Sequence, residues 1–215
     1  MGFPGKVTFV TGPEKHCGKT SYMNRAAELA RRAMGQSCGP GPVPGPALLS
    51  IGYDGEARDF LSGLSKPSVP VCKGDIIVTT ERFARPCMPE ILEVLPGSTA
   101  LGRLCIARVG RPSAVALLGP EGNSLVAWAV ELIRKEKLST AIFVDGAINR
   151  ITQAAMIPDS AFVYVLRVDP SNLKKSLDRM QRIYTLAKLP LYTPELAENA
   201  FFANGALSMD SATRL

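Results

Sequence analysis

The chain has a single histidine, a single tryptophan and no cysteine pair spaced C-x-x-C. Its five cysteines (Cys17, Cys38, Cys72, Cys87, Cys105) are an odd number and widely spread, the pattern of reduced thiols rather than a disulfide framework or a zinc site. The longest apolar run, Leu125 to Ile133, is interrupted by Glu131 and falls far short of the roughly 20 residues a membrane span needs. No charged segment leading into an apolar one opens the sequence, so nothing suggests secretion and a cytoplasmic protein without a membrane partner is expected. Aromatics are only 7% of residues, and the basic residues are scattered rather than gathered in one run. No nucleic-acid-binding signature appears, so the net charge of +6 is read as suiting a nucleotide's phosphates, an acidic protein or plain solubility.

What the chain does have is a globular composition, 46% hydrophobic and 20% charged over 215 residues, expected to form a single domain spanning 1–215. Apolar strand-like runs alternate with helical patterns. Val7 to Thr11 precedes a helical pattern from Ser21 to Met34; Ala47 to Ile51 and Asp75 to Thr79 read as further strands. Leu104–Val109 and Val115–Leu118, joined by Gly110-Arg111-Pro112-Ser113, read as a β-hairpin. Asn123–Lys137 has helical spacing with Leu125, Trp128, Ala129, Leu132 and Ile133 on one side, and Ala141–Val144 and Phe162–Val168 are strand-like. After Pro170 a basic amphipathic helix is expected to about Lys188. The order implies a three-layer α/β fold of the P-loop NTPase kind, a mainly parallel sheet with an antiparallel hairpin added. Residues 35–46, rich in Gly and Pro, are expected to be a mobile surface loop.

The stretch Gly12 to Ser21, G-P-E-K-H-C-G-K-T-S, lies between the first strand and the first helix. There the backbone N–H groups of a glycine-bounded turn can cradle phosphates. Gly12, Gly18, Lys19, Thr20 and Ser21 are therefore nucleotide-binding candidates, with Lys19 reaching the β/γ-phosphates and Thr20 ligating Mg²⁺. The spacing departs from G-x4-G-K-[ST]: five residues separate Gly12 from Gly18, and Pro13 takes the usual first-glycine place. A tight strand-to-helix turn with a surface lysine is the plainer interpretation. Lys15 is a further candidate, although the extra lysine of deviant phosphate loops would fall at Glu14. Cys17 at the helix start is either an oxidisable thiol or a small residue filling the turn.

Asp145, ending the run Ala141-Ile142-Phe143-Val144, suits the acidic Mg²⁺-organising position beside Thr20. Asp54, and less so Glu56, follow the second strand, where a carboxylate could position water or a Mg²⁺-bound water; Asp-Gly is equally ordinary turn chemistry. Lys19, Asp54 and Asp145 are the catalytic candidates, and Thr20, Asp145 and Asp54 the metal candidates. With no N-K-x-D segment to read guanine, ATP with Mg²⁺ is the expected cofactor pair.

The succession V-T-G-P-E-K-H-C-G-K-T-S-Y-M-N, L-S-I-G-Y-D-G-E, K-P-S-V-P-V-C-K-G-D-I-I-V-T-T, G-R-L-C-I-A-R-V, L-L-G-P and F-V-D-G-A-I-N-R resembles a family of bacterial P-loop proteins. These are the smaller subunit of the reactivase for lysine 5,6-aminomutase, an adenosylcobalamin enzyme. The likeness runs from about Lys6 to Val168, and the family's loop shares the five-residue spacing. It implies ATP binding at Gly12, Gly18, Lys19, Thr20 and Ser21, shared positions at Asp54, Glu56, Asp145 and Arg150, a second ATPase subunit and an aminomutase client. The Gly/Pro insert and short C-terminal end depart from the family. No D-x-H-x-x-G segment is present, so cobalt ligation by histidine is not expected. A nucleotide-driven chaperone subunit with slow ATPase activity is the leading reading. A small-molecule kinase or ligase of the dethiobiotin-synthetase type and a non-hydrolysing P-loop scaffold are the alternatives.

Overall fold

The computed structural model describes residues 6–14, 17–35, 44–52, 68–97, 99, 101–120, 122–146 and 157–188. The chain divides into two compact units, Met1–Arg167 and Val168–Leu215.

In the first unit the order is β1 (Lys6–Thr11), α1 (Lys19–Ala33), β2 (Ala47–Ser50), β3 (Val69–Val71), β4 (Ile76–Thr80), α2 (Glu81–Ala84), β5 (Glu90–Val94), β6 (Leu104–Arg108), β7 (Ser113–Val115), α3 (Asn123–Lys135), β8 (Ala141–Asp145) and β9 (Ser160–Tyr164). Seven strands form one sheet in the order β5-β6-β4-β2-β8-β1-β9. From β4 to β9 every pairing is parallel, while β6 pairs antiparallel with both β4 and β5.

Side-chain alternation along the strands builds the layers. Val7, Phe9, Leu49, Ile76, Val78, Ile142 and Val144 pack with Val126, Ala129, Val130 and Ile133 of α3. Their sequence neighbours Val10, Leu48, Ile77, Ala141 and Phe143 pack with Met23, Ala26, Ala27 and Ala30 of α1. Because successive strand residues face opposite sides, α1 and α3 cover opposite faces, giving a three-layer α/β fold with the central strands apolar on both sides.

Two expectations are corrected. Leu104–Val109 and Val115–Leu118 do not form a hairpin with each other. The antiparallel addition is instead β5 with β6, while β7 joins β3 in a separate two-stranded ribbon, Val69 opposite Val115. The reason lies in the turn: Gly110 and Arg111 both donate backbone N–H bonds to the Cys87 carbonyl at 3.0 Å, which steers the chain away from β6. Trp128 does not belong to the packed side of α3; it is 37% exposed. The buried stripe is Val126, Ala129, Val130 and Ile133, small and branched side chains that let the helix approach the sheet. Cys72 is disulfide-bonded, which corrects the expectation of reduced thiols at that position, since sequence spacing is blind to contacts across the fold. Cys17, Cys87 and Cys105 are free and buried, and burial pushes the Cys105 thiol up to about 11.

In the second unit α4 (Leu173–Ala187) is the basic helix expected there. Lys174, Lys175, Arg179 and Arg182 line a shallow surface depression with Asp178.

One polar feature sits inside the first unit. Arg31 of α1 donates from Nε to both Asp75 carboxylate oxygens at 3.1 Å and from Nη2 to Oδ2 at 2.6 Å. The Asp75 carboxylate also accepts the Cys72 N–H at 2.8 Å, and Arg31 Nη2 reaches the Pro70 carbonyl at 3.2 Å. Burial lifts the Asp75 carboxyl above its ordinary value, and the hydrogen bonds and charge of Arg31 pull against that rise. Such a pair costs much to break and little to replace whole. Asp75→Ala, which leaves the guanidinium buried alone, is expected to cost about 3–5 kcal/mol in chemical denaturation, whereas Arg31→Met with Asp75→Leu recovers most of that loss.

Candidate functional site

The site lies at the C-terminal edge of the parallel strands, the side where ligands of open α/β sheets bind. β1 ends at Thr11, Gly12 follows, and the chain re-enters regular structure at Gly18, the residue capping α1. Gly18 has φ 102°, a left-handed backbone that side-chain-bearing residues rarely adopt. No side chain caps α1 and no acidic residue lies in its first turn. Its leading N–H groups and its partial positive charge are thus free of any competing carboxylate on the helix itself. Gly12 is required by space: a Cβ there would sit 2.5 Å from the Cys17 sulfur and 2.5 Å from the Val165 carbonyl oxygen. This makes the small-residue reading of Cys17 concrete, since its buried thiol occupies the volume beside Gly12.

Lys19 folds back across the loop. Its ammonium donates to the Glu14 carbonyl at 2.8 Å and lies 3.7 Å from Cys17 Sγ. Thr20, the next residue, donates from Oγ1 to Asp145 Oδ2 at 3.4 Å. This long bond spans two elements 125 residues apart in sequence. Asp145 is carried there by the parallel register of β8, in which Val10 and Ser50 are its neighbours on β1 and β2. The edge is knitted beyond the strands: the Ile51 N–H bonds the Asp145 carbonyl at 2.8 Å, the Gly146 N–H the Val10 carbonyl at 3.0 Å, and the Val165 N–H the Thr11 carbonyl at 2.7 Å.

Gly12, Gly18, Lys19, Thr20 and Asp145 are therefore gathered at one place. Ser21 lies exposed in the first turn of α1. Lys15, His16, Asp54, Glu56 and Arg150 lie outside the described residues, as does 36–43 of the Gly/Pro-rich stretch.

Two features went unread in the sequence. One is Ser50, the β2 residue beside Asp145. The other is the segment 116–120, held over the edge by Thr79 Oγ1 donating to the Ala116 carbonyl at 2.8 Å and by the Gly52 N–H on the Pro120 carbonyl at 2.7 Å. Its start falls in Val115–Leu118, expected as a hairpin strand, and only its place at this edge was not foreseen.

A hydroxyl and a carboxylate are hard oxygen donors of the kind Mg²⁺ takes, and this cation usually needs only one or two protein groups besides phosphate oxygens and water. Among the described residues no group of three or more His, Cys, Asp or Glu could hold a metal ion. Among those residues no helix is long and apolar enough to cross a membrane. No protein-family model matches the chain, and no curated protein or solved structure does.

Gly12→Ala is expected to displace the loop because a backbone carbonyl bounds the space. Its thermal midpoint should fall by several degrees, a change of about 1–3 kcal/mol, as measured by calorimetry.

Proposed function

We propose that this protein is a Mg-ATP-binding P-loop subunit of a reactivating chaperone for an adenosylcobalamin-dependent amino-acid aminomutase. The observation that carries the nucleotide part is the Thr20–Asp145 contact at the uncapped start of α1, next to Lys19. In this reading the α1 N–H groups bind phosphate oxygens, Lys19 supplies a charge-assisted bond to the β- and γ-phosphates, and Thr20 and Asp145 hold Mg²⁺ between them. Bound Mg²⁺ supplies neutralisation of the polyphosphate charge. Asp145, half-buried, orients the Thr20 hydroxyl.

The chaperone part rests on the sequence resemblance, which brings a second ATPase subunit and an aminomutase client as partners. ATP binding or hydrolysis would then change the hold on the client by switching a segment between two states, with Gly52 to Glu56 or the Gly/Pro-rich insert, both largely outside the described residues, as the sequence candidates. The small-molecule kinase or ligase alternative needs a group that positions an acceptor, and Asp54 or Lys15 is its candidate.

Calorimetric titration of the full chain with Mg-ATP and Mg-GTP tests the nucleotide reading. Micromolar ATP binding is expected, weaker GTP binding, and a loss of at least about a hundredfold in Lys19→Ala, the scale of one buried charge-assisted contact to phosphate. Equal ATP affinity in Lys19→Ala would overturn the site. A screen showing phosphoryl transfer to a metabolite without any protein partner would favour the kinase reading over the chaperone.

A further inference from the structure

Ser50 closes β2 at the same edge, in parallel register with Asp145. Leu48, two residues earlier on the same side of the strand, packs with the α1 cluster, so Ser50 faces α1 as well. Phe143 places Asp145 on that face by the same rule. The Ser50 Oγ is buried and has no hydrogen-bond partner within the protein. Neighbouring strands run about 4.8 Å apart, so register and alternation set the Ser50 and Asp145 side chains next to each other on the α1 face.

Thr11 and Thr80 also carry partnerless buried hydroxyls at this edge. Alternation from Val10, on the α1 side, and from Val78, on the α3 side, turns both toward α3 and away from Thr20. Asn24, one turn along α1 from Thr20, has an oxygen buried without a partner too. Beside the bonded Thr20 and Asp145, Ser50 and Asn24 thus each carry a buried oxygen without a partner, and a buried hydroxyl left this way destabilises the fold on its own.

We propose that the Ser50 hydroxyl is a further positioning group of the cation site, hydrogen-bonding a water in the shell of the divalent ion that Thr20 and Asp145 hold. This rests on the nucleotide-site reading above and adds a residue to it. Mg²⁺ keeps several of its waters when bound, and groups that fix such waters set affinity without touching the metal. The hydroxyl that lacks a partner in the protein would find one in that shell.

The test uses Mn²⁺ as the probe on the full chain, with free Mn²⁺ counted by electron paramagnetic resonance at saturating ATP. Ser50→Ala is expected to weaken Mn²⁺ about tenfold, Ser50→Thr to stay close to wild type, and ATP binding in EDTA to be unchanged in both. Without ligand, Ser50→Ala should melt at or above the wild-type temperature, because it removes an unsatisfied hydroxyl. Unchanged Mn²⁺ affinity in Ser50→Ala, with wild-type protein binding ATP and Mn²⁺, overturns the role of Ser50 alone. Equal losses of Mn²⁺ and metal-free ATP, with a lowered melting temperature, also overturn it by showing a structural role. Wild-type protein that binds neither ligand overturns the nucleotide reading and this proposal with it.

Discussion

The parallel pairing of β8 between β1 and β2 is the constraint on which the site depends. It sets Asp145 in register with Val10 on one side and Ser50 on the other. Because side chains alternate along a strand, one register fixes both which residues reach the edge and which face each looks toward. A slip of one residue would turn Asp145 toward α3 and leave Thr20 facing an apolar side chain. The apolar residues on both faces of β8 oppose that slip, since it would also exchange the packing partners of Ile142, Phe143 and Val144.

α1 is tied at both ends by different physics. At its start the restraint is geometric, a left-handed Gly18 and a Gly12 pressed between a thiol and a carbonyl. Near its end the restraint is electrostatic, the buried Arg31–Asp75 pair that joins the helix to the turn between β3 and β4. Between them the alanines at 26, 27 and 30 let the helix lie close on the sheet. A helix held at both ends keeps Thr20 at a set distance from β8, the preorganisation that the proposed phosphate and metal site would need.

Much of this was legible in the residues. β1, β2, β4 and β8 announce themselves because strands buried on both faces are continuous apolar runs, and the loop is marked by Gly18-Lys19-Thr20 between a strand and a helix. β5 was not legible: Glu90-Ile91-Leu92-Glu93-Val94 mixes charge into an edge strand whose side chains are largely exposed. The β3–β7 ribbon was hidden because its pairing is non-local and Pro70 argues against a strand. Trp128 misled the reading of α3, since its bulk suggests the core while the close approach of helix to sheet selects smaller neighbours. In the site, Asp145 could be paired with Thr20 from the phosphate-loop motif together with an apolar strand ending in Asp. Ser50 could not, because a serine ending a strand has no distinguishing chemistry until its register partner is known.

The bond from Lys19 to the Glu14 carbonyl has a consequence for how tightly any anion can be held. The ammonium already has an internal acceptor, so a phosphate arriving at the loop must compete with it. The affinity for such an anion would then be a difference between two acceptors of one proton donor, and a change in loop shape that weakens the internal bond would raise it without touching the ligand. On the proposed nucleotide reading, any contact that shifts the Glu14 carbonyl by a fraction of an ångström would tune retention of the ligand without touching it.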